Sequence, residues 1–452
     1  MSKLKPYYGP KNGITIYGGD CRKVLRGLEP ESVQCIITSP PYWGLRKYAG
    51  EQELVWGGVK GCEHNWKNED SKSMSGGGSA KQRSVRGSHF DPGTCGTCGT
   101  CGAWRGAFGL EPKISMYIEH TVTILRELRR VLRKDGVLFW NVGDSYSSGG
   151  RNSTVKDSLR NNNAKDSTAM RPNVTDEIKP KDLCLIPSRV AIAAQSDGWY
   201  VRSMIIWSKP NPMPESVTDR PTDAYEHIIM LTKSSKYFWD ADSVCEPASV
   251  GYRGIDFMPT SEKDKQSFGR EKATGASMNN RTRDVRNVRN VWTFPTQPYS
   301  EAHFAGFPEK LPRLCILAAT SEKGACAKCG TPWERVTKTS RSGNPLSHVG
   351  DTKNAAMYVV EGNQLGPGVV RGSETIGWRP TCSCRGQHAV PCIVLDPFVG
   401  SGTVCRVAKA LSRDAIGIDL APSYCEMAVS RFARCKTARK LVSKGFKGLF
   451  EL

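Results

Sequence analysis

Two short motifs in this chain combine residue types that can do chemistry. Near the amino terminus the apolar run Val33-Gln-Cys-Ile-Ile37 closes on Thr38-Ser39-Pro40-Pro41-Tyr42. Such a run reads as a buried strand, and two prolines lock the backbone after it into a rigid turn. A hydroxyl, a stiffened carbonyl and an aromatic ring are thereby gathered at one strand end. Late in the chain, Ile393-Val-Leu-Asp396-Pro397-Phe398-Val-Gly400-Ser-Gly402-Thr403 runs from a strand through a glycine-bearing loop into a helix, and Ala415-Ile-Gly-Ile-Asp419 reads as the next strand. Glycines let the backbone approach a ligand closely, and an acidic residue ending the second strand, about 20 residues on, can bind ribose hydroxyls. Asp419 occupies that place, which gives the outline of a nucleotide-binding βαβ unit.

A second chemistry resides in the cysteines, of which there are 17. Their clustering in a long chain reads as metal ligation rather than disulfide bonding. Cys62-x-His64 and Cys98-Gly-Thr-Cys101 supply four ligands for tetrahedral zinc, with Cys95 competing for a place in the run Cys95-x-x-Cys98-x-x-Cys101. Cys326-Ala-Lys-Cys329 and Cys382-Ser-Cys384 form a second set of four. Each set fills its positions without leaving one open for water, so the expectation is two structural zinc ions, lying in insertions away from the catalytic turn. A catalytic zinc of the base-deaminase kind would need a His-x-Glu with Pro-Cys-x-x-Cys arrangement, which the sequence lacks. Cys35 and Cys315 sit inside apolar runs and read as core residues.

The elements that must position these groups alternate. Apolar residues Tyr117, Ile118, Val122, Leu125, Leu128 and Leu132 recur at helical spacing, with Pro112 before them and Gly136 after. Val137–Asn141 follows as a strand, Leu185–Gln195 as a helix, and Tyr200–Trp207 and Tyr225–Thr232 as strands. Alternating strands and helices imply an α/β fold, a mostly parallel sheet covered by helices on both faces. Between them lie Gly-, Ser-, Asn- and Lys/Arg-rich segments: Lys67–Pro92, Ser147–Lys181, Val250–Asn290 and Arg341–Glu374. These read as loops and insertions on one catalytic core. The third carries Arg281, Arg283, Arg286 and Arg289 and could follow a phosphate backbone.

Asp396-Pro-Phe-x-Gly-Ser-Gly-Thr resembles the cofactor loop of the S-adenosylmethionine-dependent DNA amino-methyltransferases, and Thr38-Ser-Pro-Pro-Tyr42 resembles their catalytic motif. The catalytic motif precedes the cofactor loop, the order of the β class. The resemblance continues through Gly18-Gly-Asp-Cys21, Asn141-Val-Gly-Asp-Ser145, Trp207-Ser-Lys-Pro-Asn-Pro-Met-Pro214 and His303-Phe-Ala-Gly-Phe-Pro308. It implies a Rossmann-like methyltransferase with S-adenosylmethionine held by Asp20, Cys21, Thr38, His303, Asp396, Pro397, Phe398, Gly400, Gly402, Thr403 and Asp419, and with Ser39, Pro40, Pro41 and Tyr42 catalytic. An exocyclic amino group is a poor nucleophile because its lone pair is delocalised into the ring. Two acceptors, the Ser39 hydroxyl and by resemblance the Pro40 carbonyl, can hold its hydrogens and favour a tetrahedral nitrogen. Tyr42 offers a face on which a flipped base stacks. In the resembled family Ser in the first position goes more often with cytosine N4, and Asp or Asn with adenine N6, so cytosine N4 is favoured and adenine N6 is the alternative.

The expected organisation is a methyltransferase domain in pieces, 1–59, 111–245 and 391–452, with zinc-binding insertions at 60–110 and 321–390, a basic region for target recognition at 246–290 and a cofactor-side segment at 291–320. Lys and Arg outnumber Asp and Glu by 64 to 44, a formal +20 over 452 residues, which suits a polyanion held by phosphate contacts. Double-stranded DNA is the expected partner, and a homodimer is compatible with the resembled class. No membrane-spanning run or signal peptide is found, which points to the cytoplasm. No nuclease constellation accompanies the motifs. The competing class is a zinc-bearing nucleic-acid-binding protein on a catalytically dead methyltransferase fold.

Overall fold

The computed structural model describes residues 4–44, 52–68, 96–147, 177–247, 285–297, 307–339, 373–385 and 388–434. A hairpin of β1 (Tyr8–Lys11) and β2 (Ile14–Gly18) is followed by α1 (Cys21–Gly27) and β3 (Val33–Thr38). Four short strands come next, β4 (Glu53–Trp56), β5 (Trp66–Asn68), β6 (Gly96–Cys98) and β7 (Trp104–Ala107), then α2 (Ile114–Val131) and β8 (Leu132–Val142). After α3 (Ile186–Ser196), β9 (Tyr200–Ser208) and β10 (Tyr225–Thr232) come β11 (Glu246–Pro247), β12 (Val285–Arg286), β13 (Val291–Thr293) and α4 (Lys310–Ala319). Then follow β14 (Ala325–Cys326), β15 (Glu334–Thr339), β16 (Ser373–Arg379) and β17 (Ala389–Val390), and the described residues end with β18 (Ile393–Asp396), α5 (Thr403–Ala410), β19 (Asp414–Asp419) and α6 (Pro422–Arg434).

Nine strands form one sheet in the order β1-β2-β19-β18-β3-β8-β10-β9-β13. From β2 to β8 every neighbouring pair is parallel. The sheet is mostly parallel, as expected, while β10 runs antiparallel to both β8 and β9. β9 and β10 are joined without the crossover helix that usually returns a strand in parallel.

Strand β3 is buried along its whole length, as a central strand covered on both faces must be. Alternate residues serve opposite cores. Ile36, Leu138, Trp140 and Val142 join one core with Val24 and Leu25 of α1, Leu125 and Leu128 of α2 and Val190 of α3. Cys35, Ile37, Val137 and Phe139 join the other with Leu311 and Cys315 of α4, Val404 and Val407 of α5 and Cys425 of α6. Among the described residues three helices therefore lie on each face, and Cys35 and Cys315 are core residues as expected.

This order puts a topological switch between β18 and β3. The chain leaves β18 towards β19 on one side and β3 reaches β8 on the other, yet Val394 pairs with Cys35 and Leu395 with Ile36. A crevice opens at the carboxyl ends of two strands that diverge in this way. Gly402, the N-cap of α5 at φ +79°, closes the loop below it, and a Cβ there would meet Phe432 Cζ at 2.8 Å and Ala428 Cβ at 3.0 Å. Left-handed backbone disfavours any other residue by roughly 1–2 kcal/mol before the clash is added. Gly402→Ala is accordingly expected to lower stability by about 2 kcal/mol or more, read as a drop in thermal midpoint; an unchanged midpoint would refute the packing role.

Candidate active site

The two motifs meet at that switch although 358 positions separate their paired residues: Thr38 Oγ1, at the end of β3, donates to Asp396 Oδ1 at 2.7 Å. Asp396 also accepts from Phe398 N at 3.1 Å, which bends the loop after β18 back over its own strand. Asp419, at the end of β19, accepts from Gly400 N at 3.0 Å and from Ala421 N at 3.0 Å. The loop is thus pinned from both sides by carboxylates. Asp20 caps α1 through Arg22 N at 2.9 Å and is gripped by the same guanidinium at 3.0 and 2.8 Å. One cleft is lined by Asp20, Cys21, Ser39, Pro41, Asp396, Pro397, Phe398, Gly400, Thr403 and Asp419. Thr38 and Gly402 stand behind this surface, holding it up.

Beyond Ser39 a polar network fixes the turn. Ser39 Oγ donates to Tyr42 Oη at 3.0 Å, Tyr42 Oη to Glu226 Oε2 at 2.7 Å, and Asn141 Nδ2 to both, each at 2.8 Å. Lys209 Nζ is ion-paired with Glu226 Oε1. The turn is further held by Tyr117 Oη, which donates to the Pro41 carbonyl at 3.0 Å. Its backbone is therefore preformed, with Ser39 on the wall of the cleft.

The far wall of the cleft comes from an unexpected source. Strands β4, β7, β6 and β5 form a small antiparallel sheet, and Gln52, Leu54, Trp56 and Phe108 from it and its flanks line the cleft. Trp56 stacks on His120 with centroids 4.3 Å apart, while Arg22, the partner of Asp20, lies 3.8 Å over the Trp56 ring and donates to Val55 O at 3.2 Å. Gly109 N donates to Glu111 Oε2 at 2.8 Å and Gly44 N to Gly109 O at 2.8 Å, so the same sheet is tied to the chain just past Tyr42.

That sheet carries the first cysteine set. The ligand atoms of Cys62, His64, Cys98 and Cys101 all lie within 4.8 Å of one another, and so do those of Cys326, Cys329, Cys382 and Cys384. Cys62 Sγ is 4.0 Å from Cys98 Sγ and Cys101 Sγ is 3.4 Å from His64 Nδ1. A zinc tetrahedron with ~2.3 Å Zn–S bonds has edges of about 3.8 Å, so both sets have the chemistry and spacing for the ion. They also share a local turn. Gly102 N donates to Cys98 O at 2.9 Å and Gly330 N to Cys326 O at 2.7 Å, with φ of +71° and +70° at the two glycines. Cys95 lies outside the described residues, and the set closes without it. The expectation that both sets stay away from the chemistry needs correction for the first, whose sheet walls the cleft. The second lies at the opposite edge, where Gln34 Nε2 donates to Gly330 O at 3.2 Å, Arg133 Nη1 donates to Cys329 O at 2.7 Å and Ile393 N donates to Gln34 Oε1 at 2.7 Å.

Comparison with known proteins decides the family. The sequence pattern of the N6/N4 DNA methylases matches residues 33–327 and 392–430. Type II methyltransferase M.Cfr9I of Citrobacter freundii is 33% identical over 93% of this chain and 88% of its own length. The chain belongs to the N6/N4 DNA methylase family. Type II methyltransferase M.SmaI of Serratia marcescens is 31% identical over 92% of the methylase and 89% of its own length. Among solved structures, PvuII DNA methyltransferase, described as cytosine-N4-specific, aligns with a TM-score of 0.46 at 14% identity, covering 98% of the methylase and 95% of that chain.

The methylase is an S-adenosylmethionine-dependent enzyme acting on DNA, and its cleft suits that methyl donor better than a dinucleotide. The Gly400 N–H, which would face a pyrophosphate in a phosphate-binding loop, is taken by Asp419. The carboxylates of Asp396 and Asp419, which have no cationic partner among the hydrogen bonds above, disfavour phosphate and suit a ligand that carries positive charge and hydroxyls. The apolar stretch of the cleft, Phe398, Phe108 and Trp56, accepts a flat ring and a thioether.

Sequence reasoning missed Leu54, Trp56, Phe108, Tyr424 and Met427 of the cleft lining and missed Glu226. A Trp between a strand and a glycine pair carries no motif of its own. His303 lies outside the described residues, as do Arg281 and Arg283. Arg286 and Arg289, read as phosphate-following, are ion-paired with Glu246 at 3.1 and 2.9 Å. Among the described residues no helix is long and apolar enough to cross a membrane.

Proposed function

We propose that this methylase transfers a methyl group to the N4 amino group of a cytosine turned out of double-stranded DNA. The observation that carries the reading is that Ser39 and the Asp396–Gly400 loop face one cleft from the ends of adjacent strands. S-adenosylmethionine supplies, when bound, an electrophilic methyl carbon on a positively charged sulfur. Asp396, Pro397, Phe398 and Gly400 would hold its methionine side, Asp419 its ribose and Asp20 its adenine. Ser39 Oγ and the Pro40 carbonyl accept the amino hydrogens and aim the nitrogen lone pair, with Tyr42 stacked on the base and Pro41 fixed by Tyr117 below it. Catalysis is then positioning and exclusion of water, with no covalent intermediate. Ser39 in the first motif position favours cytosine N4 over adenine N6. Labelled methyl transfer offered duplex DNA, RNA and protein should label the duplex; label in RNA or protein alone would overturn the substrate, and binding without transfer would support the dead-enzyme reading.

The buried carboxylates give a pH dependence. Burial pushes Asp396 up to about 7, against donation from Thr38 and Phe398, and burial pushes Asp419 up to about 6. A cationic ligand stabilises the charged forms, so binding releases protons and affinity rises as pH increases through those values. Calorimetry in buffers of different ionisation enthalpy should show proton release and tightening from about pH 5.5 to about 8; a flat affinity would contradict the placement of the cofactor beside these groups.

Each cysteine set holds one structural zinc ion in this reading, two per chain, supported by the matched turns at Gly102 and Gly330. The ligands fill the tetrahedron and leave no position for a substrate oxygen.

A further inference from the structure

The reaction leaves a proton to be disposed of, and neither motif contains a base for it. The amino nitrogen forms its bond to the methyl carbon as that carbon's bond to sulfur breaks, the sulfur keeping the electron pair. The nitrogen then carries one proton too many, and serine, unlike aspartate, has no basic oxygen of its own.

Donor and acceptor accounting around Tyr42 fixes the direction of the hydrogen bonds. Glu226 Oε2 can only accept and Asn141 Nδ2 can only donate. Tyr42 Oη has one hydrogen, and the carboxylate 2.7 Å away takes it. With the Asn141 amide donating at 2.8 Å, the Ser39 hydroxyl at 3.0 Å must donate as well. Ser39 Oγ therefore turns its hydrogen away from the cleft and leaves its lone pairs toward it. Every hydrogen in the chain Ser39, Tyr42, Glu226 points from the cleft to the carboxylate. The other charged group on that carboxylate is Lys209 of the chain just after β9, on Oε1, which leaves Oε2 for Tyr42. Asn141 from β8 holds Tyr42 and Glu226 in register. The side chains of Lys209 and Glu226 are 18% and 16% exposed, so the carboxylate end of the chain reaches solvent.

We propose that Glu226 is the terminal proton acceptor of methyl transfer, acting through Tyr42 and Ser39. This deepens the amino-methyltransfer reading and rests on it. As the methylated nitrogen gives a proton to Ser39 Oγ, the Ser39 hydrogen passes to Tyr42 Oη and the Tyr42 hydrogen to Glu226 Oε2, ending with a neutral amine and a protonated carboxyl that exchanges with solvent. Glu226 never touches the base; it acts as a positioning residue and proton sink.

The test is single-turnover methyl transfer to duplex DNA by Glu226→Gln and Tyr42→Phe, the second keeping the ring that stacks while breaking the chain. Both should bind S-adenosylmethionine within about twofold of the parent and transfer about a hundredfold more slowly, the usual size of a lost general base. Their rates should climb with pH as hydroxide replaces the missing acceptor, while the parent levels off, and Glu226→Asp should recover part of the rate. Parent-like rates in either variant, loss of cofactor binding, or a slowed variant with the parent's pH profile would overturn the relay. Absence of an amino-methylated base from the parent itself would instead overturn the amino-methyltransfer reading.

Discussion

Replacing Ser39 by alanine is expected to leave S-adenosylmethionine binding intact and to slow methyl transfer to DNA by about a thousandfold. The cleft surface that would hold the cofactor is built by Asp20, the Asp396–Gly400 loop and Asp419, whose hydrogen bonds do not pass through the Ser39 side chain. What disappears is the acceptor that aims the amino hydrogens and the first member of the chain to Tyr42. Losing one preorganised group of this kind typically reduces turnover by about 10²–10³, and loss of the proton path adds to it. Equilibrium binding together with single-turnover rates on duplex DNA measures both quantities. Equal loss of affinity and rate would mean that Ser39 shapes the cofactor pocket rather than the reacting nitrogen.

Breaking the two proposed metal centres should have opposite signatures. In Cys101→Ser the sheet that carries Leu54 and Trp56 loses its staple, and Arg22, lodged between Asp20 and the Trp56 ring, loses its platform. Re-ordering two or three wall residues costs about 1–2 kcal/mol each, so cofactor affinity should fall at least about tenfold. Cys329→Ser breaks a centre at the amino ends of β3 and β8, away from the cleft. It should lower the thermal midpoint with the cofactor dissociation constant almost unchanged. Zinc content of one ion per chain in each variant, with calorimetry and melting curves, checks the pair; identical effects on affinity would remove the first sheet from the cofactor wall.

Much of this site was legible in the sequence because its two motifs are local. The proline pair after Val33–Ile37 and the glycine loop after Ile393–Asp396 report their own backbone, and the structure joins them through Thr38 and Asp396. Helix α2 was legible from periodicity, expected between Pro112 and Gly136 and found at Ile114–Val131. The rest depends on where the sheet brings distant strands. Nothing in Tyr225-Glu226-His227 marks Glu226 as the partner of Tyr42; antiparallel pairing of β10 with β8 puts it there, with His227 opposite Val142 and Ile228 opposite Asn141. Phe108 was hidden because its segment read as a metal-binding insertion and Trp56 because no motif marks it; their packing against the cleft arises from Glu111, His120 and Gly109. In the cation run before β13, Arg286 and Arg289 share Glu246, some forty positions earlier, a partner that nothing in the local sequence marks.

The most direct test is to incubate the purified methylase with unmethylated duplex DNA and labelled S-adenosylmethionine, digest the product to nucleosides and identify the labelled species by mass spectrometry. N4-methyldeoxycytidine is the expected result. N6-methyldeoxyadenosine would contradict the assignment of the base while leaving the cleft chemistry in place, and label in neither nucleoside would contradict the proposed reaction at Ser39.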